Sequence, residues 1–566
     1  MNFTLLNNLA LLCAQKGIAN AVLCPGSRSA PLTLAFLRSK KIKCWTFSDE
    51  RSAAFVALGM AQQTKMPVAL VCTSGSAAYN FAPAVAEAFF QQIPLIVFTA
   101  DRPKEWIDQM DGQTIRQTEL YGNHVKKYYE LPLNDSHPDA AWYSNRIVNE
   151  AINLSINGIQ GPVHINVPLR EPLYPSSYET VENQSARVIE PMHSDSTLSA
   201  DQINSLAKEL VSYKRILIVA GQSESDPELC NVVTDFNNHY SWPLVGDILS
   251  NLHSLPFFCR HTDTFLGQLP EPTKEALRPD LVITFGKSLI SKNLKLFLRN
   301  YRPKAHWHLQ TAGDPTDTFQ SLTKIIPIHP ATFFNQLKKF LPSIHPSWKD
   351  YENSWLQQEK NSNHTITQFF QSKIDGEFKL IHQILTALPK DCNLHLANSM
   401  TVRYANHIGL SASQASVKVF SNRGTSGIDG CTSTAIGNAL TSDIANIIIT
   451  GDQAFFYDRN AFWHNYPIPN LFVVVLNNHG GIIFNLIDGP ASLPEAEEYF
   501  ITRQKLNARS LASEFGFAYL TSQNVGLKEF FTSNGNVKIL EIESPQQQNK
   551  EIFEDFKKQI RKSYGT

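Results

Sequence analysis

The chain has 566 residues, long enough for about three or four domains. Its hydrophobic fraction of 43% and charged fraction of 18% are typical of globular protein, and its net charge of −1 excludes the strongly basic class of nucleic-acid-binding proteins. No apolar run approaches about 18 residues, so no stable insertion into a membrane is expected. The eight scattered cysteines form no Cys-x-x-Cys pair, which favours a cytoplasmic protein with reduced thiols.

The first region, residues 1–180, alternates short apolar runs with segments of helix length. Continuous apolar runs at 20–26, 43–49, 66–78 and 93–103 predict strands that are buried on both faces. Strands of this kind, separated by helices, are typical of a parallel sheet covered by helices on both sides. In such sheets ligands bind at the carboxyl ends of the strands.

The same pattern returns twice after a polar linker. It predicts a central domain at 198–345 and a third domain at 370–566. The predicted fold is α/β, with three consecutive doubly wound domains that each contain a parallel sheet. The central region has no G-x-G-x-x-G motif, so dinucleotide binding is not supported.

A metal site is predicted near the C-terminus, where two apolar strands each end in a polar turn. Asp452 follows the first of these strands and Asn478 the second. Their side-chain oxygens, with the carbonyl of Gly480, form a ligand set for Mg²⁺ or Mn²⁺, and the amides of Gln453 and Ala454 can receive a diphosphate. Either turn alone is better explained by a helix cap or a simple turn, whereas the two together favour a metal–diphosphate site.

Glu50 is the second notable carboxylate. It begins a helix that is otherwise poor in charge, at the end of a predicted strand. An exposed carboxylate at a helix N-terminus is the simpler interpretation, because the helix dipole favours negative charge there. The turns that carry Asp452 and Asn478 are together called the metal turn below. Combined with this metal turn, Glu50 fits the requirements of thiamine diphosphate catalysis.

Several motifs resemble those of one family of thiamine diphosphate enzymes. They are PGSRSAPLTLAF, DERSAAFVALG, TSGSAAYN, TADRP, IRQ, SNRGTSGIDG and LNNHGGIIF. In this order they resemble the MenD family of menaquinone biosynthesis, the 2-succinyl-5-enolpyruvyl-6-hydroxy-3-cyclohexene-1-carboxylate synthases. The resemblance spans nearly the whole chain and is weakest in the middle. Gln453 replaces the last glycine of the Gly-Asp-Gly motif that is common in the wider class, and this family departs from that motif as well.

The resemblance implies the activity and its cofactors. The family uses thiamine diphosphate with Mg²⁺ or Mn²⁺ to decarboxylate 2-oxoglutarate and to add the succinyl unit to isochorismate. It also implies a homodimer or a dimer of dimers, with active sites at the subunit interface. Two alternatives stay open: another thiamine-dependent 2-oxo-acid decarboxylase or carboligase, and a degenerate relative that keeps the fold as a binding module.

The resemblance also implies roles for individual residues. Glu50 matches the glutamate that hydrogen-bonds the aminopyrimidine ring, and Ile428 matches the apolar residue that supports the bent cofactor. Ile483 and Phe484 match apolar residues beside the thiazolium. The family's second central-domain cation is replaced by Asn293. The positions that match residues of the substrate site are Ser27, Arg28, Arg102, Gln117, Lys292, Ser399, Arg403 and Arg423.

Overall fold

The computed structural model contains three six-stranded parallel sheets that follow one another along the chain. The structure describes residues 3–133, 137–174, 186–192, 196–341, 345–372, 375–486, 490–522, 526–532 and 535–565. Each sheet lies inside one of the three predicted domains, and the α/β class with parallel sheets is confirmed. The exact domain boundaries stay predictions.

The first sheet has the strand order β2-β1-β3-β4-β6-β5. Its strands are β1 (Asn20–Leu23), β2 (Lys43–Thr46), β3 (Val68–Cys72), β4 (Leu95–Asp101), β5 (Tyr128–Glu130) and β6 (Val163–Pro168). Its helices are α1 (Phe3–Gln15), α2 (Ala30–Arg38), α3 (Glu50–Thr64), α4 (Ser76–Asn80), α5 (Ala82–Gln91) and α6 (Pro138–Ile156). Every residue of β1, β3, β4 and β6 is buried, as expected for strands covered on both faces.

The central sheet has the order β12-β11-β10-β7-β8-β9. Its strands are β7 (Ile216–Ala220), β8 (Leu244–Gly246), β9 (Phe258–Cys259), β10 (Leu281–Phe285), β11 (Ala305–Leu309) and β12 (Lys324–Ile326). The helices of this region are α7 (Ala200–Leu210), α8 (Pro227–Tyr240), α9 (Thr262–Leu266), α10 (Glu271–Ala276), α11 (Lys292–Asn300), α12 (Pro330–Lys338) and the long α13 (Pro346–Gln371).

The third sheet has the order β14-β13-β15-β16-β18-β17, which repeats the topology of the first. Its strands are β13 (Cys392–Leu396), β14 (Lys418–Phe420), β15 (Ala445–Gly451), β16 (Leu471–Asn477), β17 (Ala518–Thr521) and β18 (Lys538–Glu543). Its helices are α14 (Glu377–Ala387), α15 (Met400–Ile408), α16 (Cys431–Leu440), α17 (Asp452–Tyr457), α18 (Ile483–Leu486), α19 (Ala508–Phe515), α20 (Leu527–Phe530) and α21 (Gln546–Ser563).

Helices α3 and α16 join the first and third domains. They approach so closely that a Cβ atom on Gly59 would lie 2.0 Å from the carbonyl oxygen of Thr434, and one on Gly437 would lie 2.1 Å from that of Val56. Asn438 donates a hydrogen bond from Nδ2 to the Gly59 carbonyl at 3.0 Å. Small residues on both helices therefore permit a backbone-to-backbone crossing that fixes α3, and the Glu50 at its start, against the third domain.

No helix in the part of the chain that the structure describes is long and apolar enough to cross a membrane.

Candidate active site

Nearly all the predicted site residues lie at the carboxyl edges of the first and third sheets, and Lys292, which starts α11 in the central domain, is the exception. The first-sheet set is Ser27, Arg28, Glu50, Arg102 and Gln117. The third-sheet set is Ser399, Arg403, Arg423, Ile428, Asp452, Gln453, Ala454, Asn478, Gly480, Ile483 and Phe484. Within the described residues, no hydrogen bond joins a member of one set to a member of the other. We refer to the two sets as the first-sheet half-site and the third-sheet half-site.

Asp452 is held at the junction of two adjacent strands. Strands β15 and β16 pair in parallel with Gly451 opposite Leu476, so Asp452 and Asn478 emerge at the same edge. The Asp452 carboxylate is buried and accepts a hydrogen bond from Gln504 Nε2 at 2.6 Å. Burial is the main cause that raises its pKa. A cation beside this carboxylate would offset the cost of burying its charge.

Asn478 is clamped by two further side chains. Its Nδ2 donates to Glu377 Oε2 at 3.1 Å, and its Oδ1 accepts from Gln546 Nε2 at 3.1 Å. Burial raises the pKa of Glu377 to about 7, and the nearby Asp452 charge adds to the effect. Sequence reasoning did not find Glu377 or Gln546, because no spacing connects either residue to the Asn-Asn turn.

The geometry of the turn fits a hard divalent cation. A Cβ atom on Gly480 would lie 2.8 Å from the carbonyl oxygen of Ile501 and 3.0 Å from Gln546 Nε2, so only glycine fits there. The Gly480 carbonyl accepts from the Ile482 amide at 3.0 Å. A carboxylate, an amide oxygen and a backbone carbonyl form an oxygen-only donor set, which suits Mg²⁺ or Mn²⁺. The residues present therefore fit the predicted metal and diphosphate.

The other predicted cofactor residues surround this turn. Gln453 and Ala454 lie in the first turn of α17, and Gln453 donates from its side chain to the Thr502 carbonyl at 3.0 Å. Ile483 and Phe484 begin α18, and both are half-buried. Ile428 lies in the loop before α16 with 36% of its surface exposed. Their contacts with a cofactor stay predictions.

Glu50 lies at the carboxyl edge of the first sheet. It is the first residue of α3, which Asp49 caps by accepting the Ser52 amide at 3.1 Å. Asn80 donates from Nδ2 to Glu50 Oε2 at 3.4 Å. The thiol of Cys72, at the end of β3, has a pKa raised by burial and further by the Glu50 charge. Glu50 is half-buried, so its carboxylate is within reach of a ligand at this edge.

Two arginines and a glutamine accompany Glu50 on the first sheet. Arg28 is buried and donates to the Leu169 carbonyl at 3.0 Å. Its pKa is lowered by burial and then by the charge of Arg102, which places the two guanidinium groups near each other. Gln117 is fully buried and donates to the Ala100 carbonyl at 3.1 Å. Ser27 is exposed at the turn before α2.

The third sheet carries a second pair of arginines. Arg403 donates to the carbonyl of Ser399, a residue held at a φ of 76°. Arg423 donates to Asn398 Oδ1 at 2.9 Å, while its Nε is buried without a hydrogen-bond partner. Burial lowers the pKa of both arginines, and the charge of Arg423 lowers that of Arg403 further. An anion beside two neighbouring cations that are partly desolvated would offset the cost of burying their charges.

The central domain supplies a third cation to this pair, but at a position that was not predicted. Lys292 starts α11 with an exposed side chain. Lys295, one turn further along the same helix, is half-buried and donates from Nζ to the Leu289 carbonyl at 3.0 Å. Burial lowers its pKa, Asp247 opposes that effect, and the nearby charge of Arg423 adds to it. Lys295 therefore lies near enough to Arg423 for the two charges to repel each other.

The loop that carries Arg423 and Ile428 is fastened to the first domain. Glu87, buried on α5, accepts the amide of Gly424 at 2.8 Å and both the amide and the hydroxyl of Thr425, at 2.6 and 2.5 Å. These three bonds neutralise the cost of burying the Glu87 carboxylate and fix the loop at the carboxyl edge of the third sheet.

Comparison with known families agrees with this arrangement. Residues 3–120 match the family model described as thiamine pyrophosphate enzyme, N-terminal TPP binding domain, and residues 187–396 match the middle domain of thiamine pyrophosphate. The three parallel sheets and these two matches define a thiamine pyrophosphate enzyme.

Individual relatives identify the family within this class of enzymes. The chain is 47% identical to the 2-succinyl-5-enolpyruvyl-6-hydroxy-3-cyclohexene-1-carboxylate synthase of Cytophaga hutchinsonii, in an alignment that covers 97% of this chain and 98% of the relative. Proteins of the same name in Flavobacterium johnsoniae and Porphyromonas gingivalis are 38% and 37% identical, over 97% and 96% of this chain and 97% and 95% of theirs. The chain belongs to this synthase family, and the predicted resemblance is confirmed.

Proposed function

We propose that this protein catalyses the thiamine diphosphate- and Mg²⁺-dependent decarboxylation of 2-oxoglutarate and the addition of the succinyl unit to isochorismate. The product is 2-succinyl-5-enolpyruvyl-6-hydroxy-3-cyclohexene-1-carboxylate, an intermediate of menaquinone biosynthesis. The full-length similarity to relatives of that name supports this activity. The eight free cysteines support a cytoplasmic location.

The observation that carries the proposal is the clustering of partly desolvated cations at both half-sites. Arg28 and Arg102 lie together at the first sheet, and Arg403, Arg423 and Lys295 lie together at the third. Both proposed substrates are dicarboxylates, and guanidinium groups bind carboxylates in a bidentate manner while they stay protonated. In the single chain Arg28 and Arg102 pair with Glu171 at 3.4 Å and with Asp111 at 3.1 Å, whereas Arg423 Nε is buried without a hydrogen-bond partner. The third-sheet cations therefore favour an acidic substrate most strongly.

The proposed roles follow from these positions. Bound thiamine diphosphate supplies a thiazolium that takes up the electron pair released when carbon dioxide leaves. Asp452, Asn478 and the Gly480 carbonyl would hold Mg²⁺, and the Gln453 and Ala454 amides would hold the diphosphate. Glu50 would bind the aminopyrimidine and exchange a proton at its carboxylate. Ile428, Ile483 and Phe484 would support the cofactor and keep water from the reacting carbon.

The substrate-binding roles form a second group. Arg28, Arg102, Arg403, Arg423 and the lysines of α11 would bind substrate carboxylates. Ser27 and Ser399 would orient the ligand with polar contacts. Gln117 would act indirectly, because it accepts the Gly75 amide at 3.0 Å and so holds the turn that follows β3.

We also propose that two chains complete each active site. Among the described residues no hydrogen bond joins the two half-sites of one chain, which supports a homodimer or a dimer of dimers in which Glu50 of one subunit faces the metal turn of another. Large apolar side chains that are exposed in the single chain lie near both edges, among them Tyr79 at 55%, Trp106 at 49% and Tyr499 at 70% exposure. Exposed apolar surface of this kind is typical of subunit interfaces.

The direct test mixes the protein with thiamine diphosphate, Mg²⁺, 2-oxoglutarate and isochorismate and follows isochorismate by absorbance. We expect isochorismate to disappear, and Glu50→Gln to reduce the rate by at least about 100-fold while the circular dichroism spectrum is unchanged. Removal of Mg²⁺ with a chelator should abolish turnover. Carbon dioxide release without loss of isochorismate would instead indicate another 2-oxo-acid decarboxylase.

A further inference from the structure

Residues 501–506 are fastened to the metal turn by several hydrogen bonds. The Ile501 carbonyl accepts the Gly481 amide at 2.7 Å, and the Thr502 carbonyl accepts the side chain of Gln453 at 3.0 Å. The Leu506 carbonyl accepts Asn477 Nδ2 at 2.9 Å. This 501–506 segment therefore lies directly against the residues proposed to hold the metal and the diphosphate.

Gln504 is the member of the segment that reaches a proposed metal ligand. Its Nε2 donates to Asp452 Oδ2 at 2.6 Å and to Asn477 Oδ1 at 3.0 Å. Its backbone amide donates to the His479 carbonyl at 3.2 Å, and its Oε1 accepts the Leu506 amide. The side-chain NH₂ group of Gln504 thus donates one hydrogen bond at the end of β15 and one at the end of β16, and so bridges the two strands.

We propose that Gln504 is a positioning residue for the metal site, one that fixes the Asp452 carboxylate in the orientation that receives Mg²⁺. This inference rests on the proposed function. A carboxylate that binds a metal needs partners on its remaining lone pairs, and such outer partners commonly change metal affinity by about 10- to 100-fold when they are removed. Gln504 supplies a partner that also bridges to the neighbouring strand, which prevents rotation of Asp452 about its side-chain bonds.

The contacts separate this role from simple attachment of the segment. The bonds of Ile501, Thr502 and Leu506 to the metal turn do not involve the Gln504 side chain. Removal of the Gln504 side-chain amide therefore leaves these bonds in place and takes away the contacts with Asp452 and Asn477, together with the one that Oε1 accepts from the Leu506 amide. Its effect should appear in the Mg²⁺ dependence of cofactor binding.

The test uses Gln504→Met, which keeps the volume of the side chain and removes both N–H donors. Thiamine diphosphate binding to the full-length protein is measured by calorimetry at graded Mg²⁺ concentrations. We expect the half-saturating Mg²⁺ concentration to rise by at least about 10-fold, with binding restored at saturating Mg²⁺. Lys505→Ala, which changes the exposed neighbour, is the matched control and should behave as the wild type.

A second variant tests the role of Gln504 if Gln504→Met does not fold. Gln504→Glu places a carboxylate against Asp452, so the cofactor-free protein should melt at a lower temperature and gain more from Mg²⁺ with thiamine diphosphate than the wild type does. An unchanged half-saturating Mg²⁺ concentration in Gln504→Met, or a wild-type gain in Gln504→Glu, would overturn the inference while the proposed function stands. If the wild-type protein does not bind thiamine diphosphate with Mg²⁺, both the inference about Gln504 and the proposed function fail.

Discussion

Lys295 lies three residues after Lys292, the position at which the family resemblance predicts a functional lysine. The family resemblance predicts two basic residues at positions 292 and 293, where this chain has a lysine and an asparagine. Lys292 is exposed, whereas Lys295 is half-buried, donates to the Leu289 carbonyl and has a pKa lowered in part by the charge of Arg423. Residues three apart share one face of a helix, so Lys295 can bring its charge to the site that Lys292 approaches.

We predict that Lys295→Met weakens substrate binding more than it slows turnover. A hydrogen bond to a charged group contributes about 1.5–3 kcal/mol, so KM for one of the two dicarboxylates should rise by about 10- to 100-fold. Initial-rate kinetics with each substrate varied in turn measure the effect on kcat and KM separately. Lys339→Met, at an exposed position on the same domain, is the control and should leave both constants unchanged. A KM at the wild-type value for both substrates would remove Lys295 from the site.

The sequence predicts some site residues and misses others for identifiable reasons. Asp452 and Asn478 are predictable because each follows a continuous apolar strand, and such strands end at one edge of a parallel sheet. Lys295 and Gln504 are missed because the side chains they join come from distant parts of the chain. Only the packing of α11 and of the 501–506 segment brings them to Arg423 and Asp452.

Helices α3 and α16 show which features of whole secondary-structure elements the sequence predicts and which it does not. The apolar residues of α3 predict a buried helix, and its start is marked by Asp49, which caps it. Its partner is not predictable in this way, because the close approach depends on Gly59 meeting the Thr434 carbonyl. The parallel sheets are likewise predicted from the apolar runs, but the order of their strands is not, since any order would bury the same residues.

We predict that Gly59→Ala separates the two helices. The new Cβ would lie 2.0 Å from the Thr434 carbonyl oxygen, and overpacking of this kind typically costs about 1–3 kcal/mol. Thermal or urea unfolding should show the loss, and activity should fall as well because Glu50 starts the displaced helix. Gly526→Ala is the control, since a Cβ there meets no atom within 4 Å. Equal stability of the two variants would contradict a tight crossing.

Subunit assembly provides a test of the whole molecule. If each active site takes Glu50 from one chain and Asp452 from another, then Glu50→Gln and Asp452→Ala are each inactive alone. A mixed dimer of the two variants has one site with both changes and one site with neither. After unfolding and refolding together in equal amounts, the mixture should recover about a quarter of wild-type activity. No recovery, with mixed dimers present by mass spectrometry, would place each complete site within one chain.

The crossing of α3 and α16 also limits how this protein can be recombined with its relatives. The two helices are far apart in the chain, with the central domain between them, yet their glycines and carbonyls are matched to each other. A chimera that inherits α3 from one parent and α16 from another risks a mismatch at this crossing. A chimera that replaces only the central sheet keeps the matched pair. Breakpoints on both sides of the central domain therefore leave the α3–α16 crossing intact.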